Sequence, residues 1–298
     1  MKLKHKKKHS SSIAVLLAAY NGMAWIEEQI DSIFQQKEVD IDIYISVDIS
    51  SDGTYEWCQN LATKNIRVNV LPYGDHFGGA AKNFLRLIRD VDFSTYDYVS
   101  LADQDDIWLP NKLIHAVNIL QKNNIDAYSS DVIAFWSDGR EKLVKKSYPQ
   151  KRLDYYFESA GPGCTYVLNR DSMLLLKIFI NNNWKSVNCI ELHDWLIYAF
   201  FRSRDMSWYI DSEPLMLYRQ HALNQVGINF GFLAYLKRIK MIRNGWYRSE
   251  VRKISEVITI SNDTFNLGTW FLIKFFYQLR RQNKDAFVLL LMILFGMF

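Results

Sequence analysis

The chain has 298 residues and a mass of 35.1 kDa, 49% hydrophobic, 15% aromatic and only 23% charged; this allows one large or two modest domains and excludes a disordered chain. Three scattered cysteines, Cys58, Cys164 and Cys189, form no Cys-x-x-Cys pair, which excludes a disulfide-stapled fold and a cysteine-rich zinc site and fits a reducing compartment. The formal charge of +4 divides into five lysines in residues 1–9, a net +7 in residues 228–298 and −8 between them; basic ends with many apolar neighbours favour an anionic membrane surface over nucleic acid.

A basic tail, residues 1–12, precedes the apolar run IAVLLA at 13–18. That run meets Tyr20-Asn21 too soon for an export signal, so it reads as a first buried strand. Beyond Asn21-Gly22, Ile26, Ile30, Ile33 and Phe34 recur at helical spacing, with Glu27 and Glu28 in the first turn. IYISV at 43–47 is a second strand, followed by the turn SSDGT and a short helix through Trp57 and Leu61. IRVNVL at 66–71 predicts a third strand, Phe84, Leu87 and Ile88 a helix, and YDYVSLA at 96–102 a strand that runs into carboxylates. This βαβα order predicts an α/β fold with a mainly parallel central sheet covered by helices. Ligands then belong at the carboxyl ends of the strands. Four polar segments fall there: Tyr20-Asn21, residues 48–54, residues 75–79 and residues 103–106.

After Pro110 comes a helix with Leu113, Val117 and Leu120, then an extended stretch at 127–136 and a basic excursion at 139–152. GPGCTYVL at 161–168 is a turn that becomes a strand, residues 173–179 predict a helix, and HDWLIYAF at 193–200 predicts another. The βα rhythm stops near residue 226, which divides a body at 13–227 from a helical, aromatic and basic region at 228–298. Residues 287–298 are wholly apolar or glycine. As a helix they span about 18 Å, short of a bilayer core of about 30 Å. They are an interfacial anchor or a terminal helix docked on the body.

In Asp103-Gln104-Asp105-Asp106, an extended backbone puts Asp103 and Asp105 on one side and Asp106 on the other. Two hard oxygen ligands suit Mg²⁺ or Mn²⁺ holding a substrate's phosphates, and a solvated acidic turn is the competing reading. Asp48 closes the second strand and can accept from a base N–H or a ribose hydroxyl; Asp52-Gly53 also makes an ordinary Asx turn. No G-x-G-x-x-G or G-x-x-x-x-G-K-[ST] loop occurs at these strand ends, which disfavours a dehydrogenase or an ATPase. Asp194, between His193 and Trp195, is either a carboxylate favoured by a helix N-terminus or a base facing the acidic cleft.

Six collinear segments, VLLAAYNG (15–22), ISVDISSDGT (45–54), SLADQDDIWLPNKL (100–113), GPGCTYVLNR (161–170), HDWLIY (193–198) and YRQHALNQVG (218–227), resemble the inverting family 2 glycosyltransferases with a GT-A fold. More narrowly, they are similar to bacterial rhamnosyltransferase-like enzymes of cell-surface polysaccharide assembly. The resemblance implies a nucleoside-diphosphate sugar donor, with rhamnose the first choice and galactose, galactofuranose or glucose still open. The acceptor it implies is a glycan or lipid-linked glycan, reached from the cytoplasmic face of the membrane through peripheral contact. It places Tyr20, Asn21, Asp48, Asp103, Arg219 and His221 around the donor nucleotide and diphosphate, Asp105 with Asp103 at the metal, and Asp194 as the base. Trp108, Gly161, Gly163, His193 and Trp195 fall on the acceptor side, although the aromatics are equally readable as core. Two positions depart from the family pattern: Val47 stands where an acid usually precedes Asp48, and His193 where a Glu usually precedes Asp194. A catalytically silent sugar-nucleotide or glycan-binding module and a metal-dependent nucleotidyltransferase are the competing classes.

Overall fold

Every residue from Ile13 to Leu17 is fully buried, because the first strand lies inside a parallel sheet with both faces covered. In the computed structural model, which describes residues 10–221, 244–259 and 267–298, this strand is β1 (Ser11–Ala19). It pairs in parallel with β2 (Val39–Val47) on one side and β4 (Tyr98–Asp103) on the other. The connecting helices are α1 (Ile26–Phe34), α2 (Thr54–Lys64) and α3 (Ala80–Asp90), with the short β3 (Val68–Val70) outside β2. Alternation along β1 feeds two cores: Ala14, Leu16 and Ala18 pack on one face of the sheet, and Ile13, Val15 and Leu17 on the other.

The chain continues through β5 (Ile107–Trp108), α4 (Lys112–Asn123), β6 (Ala127–Ser130), β7 (Val132–Trp136), β8 (Glu141–Val144) and β9 (Val167–Asn169). Then follow α5 (Arg170–Asn182), α6 (Trp184–Val187), α7 (His193–Ser203), β10 (Trp208–Asp211) and β11 (Met216–Gln220). The seven-stranded sheet has the order β10-β6-β9-β4-β1-β2-β3. It is parallel except at β9, which runs against both β4 and β6. The predicted extended stretch at 127–136 is two strands, which part at Asp131 into different sheets. The second sheet, β5-β11-β7-β8, brings β11 beside the loop that follows β4.

Three helices complete the described chain: α8 (Trp246–Ile258), α9 (Thr269–Leu279) and α10 (Asn283–Leu294). Val251, Leu272, Leu279, Leu289 and Ile293 share one apolar core with Leu16, Phe84 and Phe200. The C-terminal helices are therefore part of the body's packing. Among the described residues no helix is long and apolar enough to cross a membrane. Residues 1–9 of the basic tail expected at 1–12, the end of the sixth motif at 222–227 and the expected boundary at 227/228 lie outside the described residues, whereas Ser11 and Ser12 of that tail already belong to β1.

Candidate active site

Parallel pairing of β1, β2 and β4 puts Tyr20-Asn21, Asp48 and Asp103 along one sheet edge. The loops there are tied to one another. The Gln104 side-chain amide accepts from Tyr20 N at 2.7 Å and donates to Tyr20 O at 2.8 Å. A Cβ on Gly22 would lie 2.3 Å from Gln104 Oε1, so this approach needs glycine. Asn21, at φ 45°, receives Ser51 N on its Oδ1 at 2.9 Å and donates its own N–H to Ser50 Oγ at 3.0 Å. The Tyr20 ring is left 51% exposed at the rim.

Asp48 is buried, and both its oxygens are engaged. Oδ1 accepts from Ile49 N at 2.8 Å and Phe77 N at 2.9 Å; Oδ2 accepts from Gly78 N at 2.9 Å. It thus draws the loop after β3 onto the end of β2, and the donor-base contact expected of it competes with these amides. Val47 is buried behind it.

The carboxylates do not follow the alternation expected of them. β4 ends at Asp103 and the backbone bends at Gln104 and Asp105, so the period of two stops. Asp106 consequently does not point away: ligand atoms of Asp103, Asp106 and Cys164 all lie within 4.8 Å of one another. Asp105 Oδ2 instead meets His221 Nε2 at 2.7 Å, and the His221 ring stacks on Trp25 at 4.0 Å. Arg219 donates Nε–H to Asp105 O at 2.8 Å and its backbone N–H to Asp106 Oδ1 at 3.2 Å, and its guanidinium pairs with Glu28. It pins the acidic loop between β11 and α1.

Burial, then the neighbouring Asp105, pushes Asp103 up to about 7, and Asp194 adds to the rise. Burial with Asp105 and Asp103 pushes Asp106 well above the carboxylate range, and burial likewise raises the Cys164 thiol. Without a metal, Cys164 is therefore a neutral thiol. Asp106 is sealed at 1% exposure, with Oδ2 lacking a hydrogen-bond partner. Of the three clustered residues only Asp103 is partly exposed; Asp105, the other expected ligand, is 8% exposed and has one oxygen on His221. Those hard oxygens fit Mg²⁺ or Mn²⁺. Behind them Lys112 is buried with its ammonium 3.6 Å over the Trp108 ring, and burial lowers it to about 7.

Asp194 occupies the first turn of α7, where its Oδ1 accepts from Trp195 N at 2.8 Å. Burial raises its pKa against the opposing pull of Trp195 N–H, Ser159 and Lys146. A Cβ on Gly163 would lie 3.4 Å from Asp194 Cβ, and the next residue, Cys164, shares the cluster with Asp103 and Asp106, so the expected base stands beside the acidic loop. His193 turns away from acid–base work. Its ring stacks on Phe84 at 4.1 Å, its Nε2 is buried without a partner, and burial drops its pKa to about 3.

Gly163 makes room for this helix start: a Cβ there would lie 2.5 Å from His193 Nε2 and 3.4 Å from Asp194 Cβ. Gly161 has φ +147°, a glycine conformation, and its carbonyl shares the Tyr166 hydroxyl with Asp194 O, each at 3.2 Å. Both glycines thus seat α7. Trp108 and Trp195 are core residues at 2% and 3% exposure, and Trp195 Nε1 donates to Tyr155 O, so neither offers an open face to an acceptor. Gln104, Cys164, Lys112 and Lys146 were not singled out from sequence. Gln104, Lys112 and Cys164 lay inside motifs that were, the one signal pointing to them.

A nucleotide-sugar transferase of the GT-A class is what this sheet edge, acidic loop and helix-borne carboxylate define. Residues 14–174 match the family model described as Glycosyl transferase family 2, and the chain belongs to that family. It is 47% identical over 290 residues, 95% of this chain and 100% of the relative, to the dTDP-rhamnosyl transferase RfbG of Shigella flexneri. It is 25% identical over 195 residues, 59% of this chain and 73% of the relative, to the Escherichia coli UDP-Glc:alpha-D-GlcNAc-diphosphoundecaprenol beta-1,3-glucosyltransferase WfgD. The fold is shared with S. aureus TarS 1-349 in complex with UDP (TM-score 0.58, 14% identity, 91% of this chain and 73% of that chain). It is also shared with the mannosyltransferase PcManGT of Pyrobaculum calidifontis in complex with GDP-Man and Mn²⁺ (TM-score 0.54, 15% identity, 87% and 67%).

Proposed function

We propose that this glycosyltransferase moves rhamnose from a dTDP-linked donor to a glycan or lipid-linked glycan, with inversion, at the cytoplasmic face of the membrane. The placement of Asp194 beside the Asp103–Asp106 cluster, across Gly163-Cys164, carries the reading of the chemistry. The sugar is supported by the 47% identity to a relative named for dTDP-rhamnosyl transfer. A lipid-linked acceptor is in keeping with the relative named for a diphosphoundecaprenol substrate.

The reaction is a single displacement. Asp194 accepts the acceptor hydroxyl proton as that oxygen bonds to the anomeric carbon, and the bond from that carbon to the diphosphate breaks. Burial of Asp194 favours proton uptake. Asp103 and Asp105 would hold Mg²⁺ or Mn²⁺, and the chemistry such an ion supplies when bound is neutralisation of charge on the departing diphosphate. Arg219 and His221 keep the acidic loop in place for it. Tyr20 and Asn21 border the donor side, and Asp48 shapes that wall through the loop it holds.

A panel of labelled sugar nucleotides, with and without divalent ion, followed by product mass analysis, tests the proposal. Transfer from dTDP-rhamnose with release of dTDP is the expected result. Preferred transfer from a galactosyl or glucosyl donor would overturn the sugar assignment. Donor binding without turnover points to a silent module, and pyrophosphate released from a nucleoside triphosphate to a nucleotidyltransferase.

A further inference from the structure

Helix α10 is apolar on two faces. Ala286, Leu289, Met292 and Ile293 are buried in the body, whereas Phe287, Val288, Leu291, Leu294 and Phe295 are 38–74% exposed. The exposed set falls at i, i+1, i+4, i+7 and i+8, one continuous outward stripe. Trp270, 85% exposed, and Tyr277, 51% exposed, project from the neighbouring α9. Apolar residues scattered singly over a surface need no explanation, but a stripe this long on one helix marks an interaction face.

At the start of the same stripe lies a cavity of about 600 Å³ between the connection after β8 and the α9–α10 turn. Lys151, Arg152 and Lys284 line it, and none of its lining residues is a carboxylate. Lys151 Nζ donates to Asn283 Oδ1 at 2.9 Å and sits 3.8 Å over the Tyr277 ring. Arg281, also in the lining, is committed inward to Asp154 and Glu158. Asp285, the acid of the first turn of α10, pairs with Arg280 at 3.7 Å. The cavity therefore keeps an excess of positive charge beside the N-terminus of a twelve-residue helix, where the backbone dipole adds to it. Lys284 precedes Phe287, Val288 and Leu291 by three, four and seven residues, so cavity and stripe share one helix face.

We infer that this face of α9–α10 docks on an anionic phospholipid bilayer, with the α10 stripe in the acyl boundary and a lipid phosphate in the Lys151–Arg152–Lys284 cavity. The charge decides the occupant. A second copy of the chain would bring the same cations to the same edge, whereas anionic headgroups complement them. Lying in the surface plane, α10 needs no spanning length. The basic connection also runs toward the start of α7: Lys146 on it packs against Gly161, whose carbonyl shares the Tyr166 hydroxyl with Asp194 O. The inference deepens the proposed use of a lipid-linked acceptor. Its test contains neither donor nor acceptor, so either idea can fail while the other stands.

The full chain should float with phosphatidylcholine vesicles containing phosphatidylglycerol, much less with phosphatidylcholine alone, and less at high salt. F287S/F295S, two exposed changes, should lower vesicle affinity at least about tenfold. K151Q/K284Q should lower it about fivefold per charge removed and flatten the salt dependence. Circular dichroism checks that each variant is folded. A wild-type chain that stays unbound from anionic vesicles, or a folded F287S/F295S that binds them as well as wild type, overturns the inference. So does a vesicle-free dimer that F287S/F295S abolishes, which would assign the stripe to a second copy.

Discussion

In the proposed reaction Asp194 takes the proton and Asp103 holds the metal, and their environments make that division testable. Replacing Asp194 by Asn preserves its size but not its capacity to accept a proton. D194N should keep donor binding while losing about 10²- to 10⁴-fold in transfer rate, measured on one folded preparation by ligand titration and turnover. In the parent, kcat/KM should fall on its acid side at a pH above the ordinary carboxylate range, because burial raises Asp194. Asp103 bears on stability. Between its ordinary value of 3.8 and about 7 it stays protonated when folded and ionises when unfolded, so stability falls as pH rises through that window. Thermal melts without metal should show that slope, and D103N should reduce it. Added Mn²⁺ should raise Tm more at about pH 8 than at about pH 6, since binding needs the ionised form. The places of Asp48, Asp103 and Asp194 in the fold were legible because strand ends and helix starts are local features. The Gln104–Tyr20 and Arg219–Glu28 contacts were not, since they join residues 84 and 191 positions apart.

At the scale of elements, the start of α7 depends on what is missing from Gly163. A methyl group there would meet His193 Nε2 at 2.5 Å, and that ring has Phe84 behind it. G163A should cost about 1–3 kcal/mol in chemical denaturation, the range of overpacking, and should slow transfer by shifting Asp194. A folded G163A with parental stability and rate would mean that α7 adjusts freely. Adding H193A should recover part of the loss, a non-additivity expected of residues in contact. Helix period and buried apolar runs announced β1, β2, β4 and the helices between them. Of the second sheet only β7, inside the extended stretch at 127–136, left such a trace. β5 has two residues and β8 four, three of them exposed, too short for a period of two to stand out. The orientation of Asp106 was lost for the related reason that a strand pattern says nothing about where the strand bends.

For the molecule as a whole, the uneven charge was legible in composition, but not that Arg281 turns inward from a basic region. Its side chain is 1% exposed and pairs with Asp154 and Glu158. Removing one partner of such a buried network strands the others. R281A should cost about 3–5 kcal/mol in urea unfolding, monitored by tryptophan fluorescence. Deleting residues 286–298 is accordingly a poor probe of membrane binding, since Leu289, Met292 and Ile293 belong to the main core. Exposed single-residue changes separate attachment from folding. Asp154 also accepts from Tyr198 and Arg202 of α7, the helix that begins with Asp194. One guanidinium at the foot of α10 and one carboxylate beneath α7 thus link the helix that carries the outward stripe to the helix that begins with the proposed base. On the proposed docking, a reaction centre held at a fixed height above the bilayer would measure its acceptors, taking those whose reacting hydroxyl stands at that distance from the lipid and passing over shorter or longer ones.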